Sequence, residues 1–187
     1  MTSPAGLGLS PEQARFNMIE QQIRPWEVLD GRVLDLLARV HREDYVPEAH
    51  KALAFADLEL PLTAQGTEGP CMLAPKVQAR LAQDLQLKPT DRVLEIGTGS
   101  GYMAALLAGL SASVLTLEID PALAAMARAN LARQGLTQVE VREADAAAQD
   151  FVACRTGAPF DAIVLGGSVA EVPPALLSLL APGGRLA

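Results

Sequence analysis

From residue 92 onward, short apolar runs alternate with segments of helical spacing: VLEI before GYMAALLAGL, VLTLEI before PALAAMARANLARQG, VEVREA before AAAQDFVA, and DAIVL before VPPALLSLLAPGG. Uninterrupted short apolar runs are the signature of strands buried on both faces. Their alternation with helices predicts βαβ units, and so an α/β, doubly wound, mostly parallel Rossmann-like sheet with helices on both faces. The second helix carries its own punctuation, with Asp120 as N-cap, Pro121 at the first helical position and Gly135 just past the end. Leu123, Met126, Ala127 and Leu131 form its predicted buried face.

Before residue 92 the pattern is helical. Residues 12–24, EQARFNMIEQQIR, place Phe16, Ile19 and Ile23 on one face and Glu20 and Arg24 on the other, and Pro25 stops the run. A second helix is predicted over 33–40, VLDLLARV, with the following stretch closed by Pro47. The Thr-, Gly- and Pro-bearing stretch from Pro61 to Pro70 reads as a surface loop. Pro75 then opens a helix with Val77, Leu81 and Leu85 on one face, closed by Lys88-Pro89-Thr90-Asp91. The expected organisation is a single domain, with residues 1–90 forming an N-terminal helical cover and 91–187 an α/β body. The closing GGRLA reads as the opening of a fifth strand. A sheet ended there would leave an open edge, so the expectation is that C-terminal strands are missing or that another chain covers it.

Composition narrows the functional classes. The chain has 187 residues, half of them hydrophobic and 20% charged, which suits one globular domain. A net charge of −7 argues against nucleic acid, whose phosphates require clustered Lys and Arg. No stretch approaches the apolar length of a membrane span, and the start lacks a basic segment followed by an apolar run, so a cytoplasmic location is expected. Cys71 and Cys154 have neither CxxC spacing nor a partner cluster and read as reduced, half-buried thiols. With His41 and His50 the only histidines, no metal site is expected.

The chemistry concentrates in RVLEIGTGSGY. Gly97, Gly99 and Gly101 make a GxGxG turn between strand and helix, not the GxGxxG turn that aims a helix N-terminus at a pyrophosphate. Glu95, at the strand end, would face a pyrophosphate poorly but suits an ammonium or sulfonium group. S-adenosylmethionine carries both and no phosphate. The next strand ends in Glu118, placed to accept hydrogen bonds from both ribose hydroxyls, a feature shared with NAD enzymes. The third strand ends in Glu143-Ala144-Asp145, with Asp145 placed to meet an adenine amino group. The competing readings are a plain tight turn with solvated strand ends, and an NAD or FAD site.

NMIEQQIR at 17–24, REDYVP at 42–47, LPL at 60–62, VLEIGTGSGY at 93–102, FDAIVLGG, EVPPALL and PGGRL together resemble the protein-L-isoaspartate O-methyltransferases over nearly the whole chain. The resemblance implies a Rossmann-like methyltransferase fold, S-adenosylmethionine as cofactor, and methyl transfer to the free α-carboxyl of an isoaspartyl residue in a damaged protein. The cofactor residues are then Met72, Leu73, Glu95, Gly97, Thr98, Gly99, Gly101, Glu118, Ile119, Asp145 and Ala146. No catalytic residue is implied. A carboxyl group with a pKa of about 4 is already ionised at neutral pH and needs no general base.

The sequence departs from the family in GPCMLAPKV at 69–77. Where the family has Gly-x-Thr-Ile-Ser and a nearby Pro, with the Ser hydroxyl near the reacting groups, this chain has Cys71, Met72 and Leu73. Met72 and Leu73 either line the cofactor pocket or pack into the core, and Cys71 is either a substitute polar group or a buried thiol. The departure bears on the acceptor. It leaves two alternatives, a methyltransferase with another acceptor and a non-catalytic binding module of the same fold.

Overall fold

The computed structural model describes residues 9–64, 66–146, 157–167, 169 and 171–187. The predicted AAAQDFVA helix, apart from Ala146, and Cys154 lie outside the described residues.

Five parallel strands form the body: β3 (Arg92–Ile96), β4 (Ser113–Glu118), β5 (Val139–Glu143), β6 (Phe160–Leu165) and β7 (Leu180–Leu186), in the order β5-β4-β3-β6-β7. Two further residues pairs, β1 (Leu60–Pro61) and β2 (Cys71–Met72), form an antiparallel ribbon. The predicted surface loop is therefore the connection of that ribbon, with a 3-10 turn at Gly66–Glu68.

Alternation along the buried strands sends side chains to two cores. Val93, Val114, Ala162 and Val164 face one apolar cluster, shared with helices α4 (Tyr102–Ala108) and α5 (Pro121–Arg133) and with the cover. Leu94, Leu115, Leu117 and Ile163 face the other, closed by Leu176 of the short helix α6 (Pro174–Leu177) and by Leu179. Asp120 caps α5 by accepting from the backbone N–H groups of Ala122 and Leu123, and Gly135 takes φ 68° just beyond its end. The buried face of α5 is Leu123, Ala124, Ala127, Asn130 and Leu131, with Met126 only partly buried.

Three local expectations differ from the structure. The first helix, α1 (Pro11–Met18), passes into a π-helical turn at Ile19–Ile23 and a 3-10 turn at Arg24–Trp26. Its inward face is Arg15, Met18, Ile19 and Ile23, leaving Phe16 58% exposed. The inward place goes to Arg15 because that guanidinium pairs with Glu43. In α3 (Pro75–Asp84) the buried side is Pro75, Gln78, Ala79 and Ala82, with Val77 and Leu81 at its margin, since small side chains allow close packing. The apolar stretch 172–184 is helical only to Leu177. Leu180 already pairs with Phe160, and Ala181–Gly184 bulge out before Arg185 pairs with Ala162. Pro182 is tolerated in that strand because of the bulge.

The cover adds helix α2 (Gly31–Arg39), capped by Asp30, whose side chain accepts from the N–H of Arg32. Gln83 on α3 accepts from the N–H groups of Leu29 and Asp30 and donates to Glu27 O, tying the start of α2 to α3. Lys76 places its ammonium 4.3 Å from the centroid of the Trp26 ring.

Candidate functional site

The order of connection reverses beside β3, which pairs with β4 on one side and β6 on the other. In open α/β sheets that reversal opens a crevice at the carboxyl ends of the strands. Here the crevice is lined by the turn after β3 and the ends of β4, β5 and β6. Its floor is one backbone thick: Gly166 N–H donates to Ile96 O at 2.7 Å, and a Cβ on Gly166 would lie 2.5 Å from Gly97 O.

The glycines divide the labour. Gly97, at φ 91°, lines the crevice. Gly99, at φ 55°, donates its N–H to Glu118 Oε2 at 2.8 Å and faces Leu62 of the cover. Gly101, also expected among the cofactor residues, is buried at the N-terminus of α4, where a Cβ would meet Leu131 Cγ at 3.3 Å and Ala127 at 3.4 Å. Its lack of a side chain serves helix packing, and it lines none of the cavities around the turn.

Glu118, 5% exposed, stands where two chambers meet. Oε2 accepts from Gly99 and Oε1 accepts from the N–H of Asp120 at 3.0 Å. Each oxygen is held by one backbone donor and keeps a lone pair, so the carboxylate is oriented before any ligand arrives. On one side lies an apolar slot of about 270 Å³, lined by Ile96, Leu117, Ile119, Ala144, Ala146, Leu165, Val169 and Leu176, with Asp145 also in its wall. On the other lies an open chamber bounded by Glu59, Pro70, Cys71, Leu73, Gly99 and Gly166.

Glu95 lies beneath the turn with no solvent contact. Its cross-strand neighbour Thr116 donates to Oε2 at 2.6 Å, and the Thr116 and Thr98 hydroxyls share a further 2.6 Å hydrogen bond. Oε1 has no partner among the described residues, and the residue lines a small void with Met72, Leu73, Gln78, Thr98 and Gly99. Burial pushes the carboxyl up to about 8, against the lowering effect of the Thr116 donation and with a further rise from Glu118. A cationic ligand group beside it would favour the carboxylate again.

A stability prediction follows from the sign of that shift. The folded-state value lies above the 4.5 of an ordinary Glu, so the Glu95 contribution is fully present below that value and is lost as pH rises towards about 8. Urea unfolding between pH 5 and 8 should therefore show wild type losing stability relative to Glu95→Gln, by up to about 1.4 kcal/mol per pH unit. Parallel curves would mean that the carboxyl titrates near its ordinary value.

The structure thus gathers Leu73, Gly97, Gly99, Glu118, Ile119, Asp145 and Ala146 around the crevice, with Glu95, Thr98 and Met72, 3% exposed, in the wall of the lower void. Ile119 is 66% exposed at the rim. Gly166, Gly167, Val169 and Leu176 also line the crevice, and no motif in the sequence marks them for the ligand. The LGG after the DAIVL run is the nearest signal, and its meaning depends on β6 lying next to β3. Cys71 is half-buried, donates to Gly69 O at 3.4 Å, and burial, with Glu59 second, raises its thiol above the ordinary range. Among the described residues no group of three His, Cys, Asp or Glu could hold a metal, and no helix is long and apolar enough to cross a membrane.

Residues 13–187 match the family model described as protein-L-isoaspartate(D-aspartate) O-methyltransferase. A protein-L-isoaspartate O-methyltransferase 2 from Marinobacter nauticus is 43% identical over 172 residues, 92% of this chain and 75% of that protein. A protein-L-isoaspartate O-methyltransferase from Koribacter versatilis is 39% identical over 184 residues, 98% of this chain and 78% of that protein. The chain thus spans about three quarters of these relatives' lengths. A crystal structure of a Plasmodium falciparum protein described as a protein-L-isoaspartate O-methyltransferase, in complex with S-adenosyl-L-homocysteine, superposes with a TM-score of 0.76 at 23% identity, covering 96% of this chain and 83% of that one. At that identity it supports the likeness of fold.

Proposed function

Because the chain belongs to the protein-L-isoaspartate(D-aspartate) O-methyltransferase family, we propose that it transfers a methyl group from S-adenosylmethionine to the free carboxylate of L-isoaspartyl residues in damaged proteins. The observation that carries this reading is Glu118, pre-oriented by two backbone donors at the junction of an apolar slot and an open chamber. A slot ending in a carboxylate with free lone pairs fits a nucleoside, with the base among Ile96, Leu117 and Leu165 and the ribose hydroxyls at Glu118. Asp145 and Ala146 would border the base, and Ile119 would cover it. Thr98 and the Gly97–Gly99 backbone would hold the amino-acid part, with Glu95 Oε1 as an unsatisfied acceptor in the void below and Met72 and Leu73 as its apolar wall.

When bound, S-adenosylmethionine supplies an electrophilic methyl group on a sulfonium sulfur. The protein's own contribution is geometric and electrostatic. An acceptor entering the open chamber reaches the same Gly97 backbone and Glu118 side chain that border the slot, which sets acceptor and cofactor sites side by side. The acceptor carboxylate is ionised at neutral pH, so no side chain has to remove a proton. Leu73 and Pro70 give the open chamber an apolar wall, from which a bound acceptor would displace water.

The cover, residues 1–90, and the body, 91–187, are read as one domain, supported by a single apolar cluster running from Met18 and Leu37 to Val93 and Val164. A cytoplasmic location and a protein or peptide acceptor belong to the same proposal.

The test is methyl transfer from labelled S-adenosylmethionine to an isoaspartyl peptide and to the same peptide with normal aspartate. Selective labelling of the isoaspartyl form is expected. Leu73, apolar where the resemblance implies a hydroxyl, favours a second reading with a different acceptor. Binding of S-adenosylmethionine with no labelling of either peptide would favour that reading or a non-catalytic module.

A further inference from the structure

Arg42 is wholly buried, yet among the described residues it has no carboxylate within ion-pairing distance. It lies in the 3-10 turn Arg42–Asp44 of the cover. Its fork instead reaches three segments: Nε donates to Ala54 O at 3.0 Å, one terminal nitrogen donates to Gln78 Oε1 on α3, and the other donates to Leu73 O at 2.7 Å. The guanidinium carbon lies 5.1 Å from the centroid of the Tyr102 ring. A buried cation without a countercharge is costly, and packing alone would be served as well by an apolar side chain.

Two of the residues it meets, Leu73 and Tyr102, belong to segments that border the site. Leu73 follows the β1-β2 ribbon, which consists of only two residue pairs, so little backbone pairing fixes its position. Leu73 nonetheless lines both the void over Glu95 and the open chamber. Tyr102 is the first residue of α4, directly after Gly101 of the glycine turn. Arg42 therefore holds the chamber wall by a hydrogen bond while packing over the first residue of the helix that issues from the cofactor-side turn, without lining the crevice itself.

We infer that Arg42 is a positioning residue for methyl transfer, which holds the Leu73 backbone at a fixed distance from the glycine turn and so sets the alignment of acceptor against cofactor. The inference rests on the proposed assignment of the two chambers. Lysine cannot substitute, because a point charge on a flexible stem cannot donate to three separated acceptors in one plane.

The experiment compares wild type, Arg42→Lys and Arg42→Met in the full chain. It measures thermal midpoint, S-adenosylmethionine affinity, kcat and KM for an isoaspartyl peptide at saturating cofactor, and amide hydrogen exchange. Both variants are expected to keep cofactor affinity within about threefold while kcat/KM for the peptide falls about tenfold to a hundredfold. Exchange at Leu73 and Ala74 should rise about tenfold, with the β3 amides unchanged. If Arg42→Met does not fold, Arg42→Lys carries the same comparison. The inference is overturned if kcat/KM stays within about twofold of wild type with unaltered exchange at Leu73 and Ala74. It is also overturned if Arg42→Lys restores midpoint and activity together, the result expected of a merely structural cation. Absence of peptide methylation by wild type would count against the proposed function alone, since the exchange comparison still decides whether Arg42 holds the Leu73 segment.

Discussion

Gly166→Ala is expected to destabilise the fold by about 2 to 4 kcal/mol and to weaken S-adenosylmethionine binding about a hundredfold or more. The cause is steric and leaves little room for relaxation. The new Cβ would sit 2.5 Å from Gly97 O and 3.0 Å from Ile96 O, and both obstacles are backbone. A rotamer change cannot relieve that contact; only separating the ends of β3 and β6 can. Separation would break the 2.7 Å bond from Gly166 N–H to Ile96 O and displace Gly97, whose backbone lines the crevice. Urea unfolding and calorimetric titration would measure the two effects independently. An unaltered midpoint with full affinity would show that the two strand ends can part without consequence.

Glu118→Ala has the next largest expected effect, a loss of about 1 to 3 kcal/mol in S-adenosylmethionine binding. Part of the loss comes from the ligand hydroxyls and part from the turn, because Gly99 N–H and Asp120 N–H both lose their acceptor. Glu118→Gln separates the contributions. Its amide keeps one acceptor oxygen but sets an NH2 group against one of the two backbone donors, so affinity should fall to an intermediate value. Titration calorimetry on the three proteins would read this order, and a dissociation constant unchanged in Glu118→Ala would place the ribose elsewhere.

Much of this was legible in the chain because it depends on local pattern. The β3-β4-β5 succession follows from apolar runs alternating with helical spacing, and the α5 termini follow from Asp120, Pro121 and Gly135. What escaped the sequence depends on contacts between distant segments. Phe16 has the spacing of a buried residue, but the pairing of Arg15 with Glu43 turns a charged side chain inward and leaves the ring outside. Leu180 continues an apolar helical pattern, yet pairing with Phe160 draws it into a strand. Gly101 reads as a glycine of the cofactor turn, and only the position of α5 adds that its missing side chain also leaves room for Leu131 and Ala127. Glu95 reads as a strand-end acid facing solvent or ligand, whereas its complete burial raises its pKa in spite of the Thr116 donor.

The pairing of Trp26 with Lys76 has a practical use. Trp26 is the chain's single tryptophan, half exposed on the cover, with the α3 ammonium over its ring and its carbonyl accepting from Arg80 of the same helix at 3.3 Å. With no second indole to mask it, its fluorescence is a built-in optical label for one seam, where the start of the chain rests on α3. Emission would follow the parting of that seam, while far-ultraviolet circular dichroism follows the loss of secondary structure throughout. The native chain can thus show, without an added dye, whether the cover lifts before the body melts.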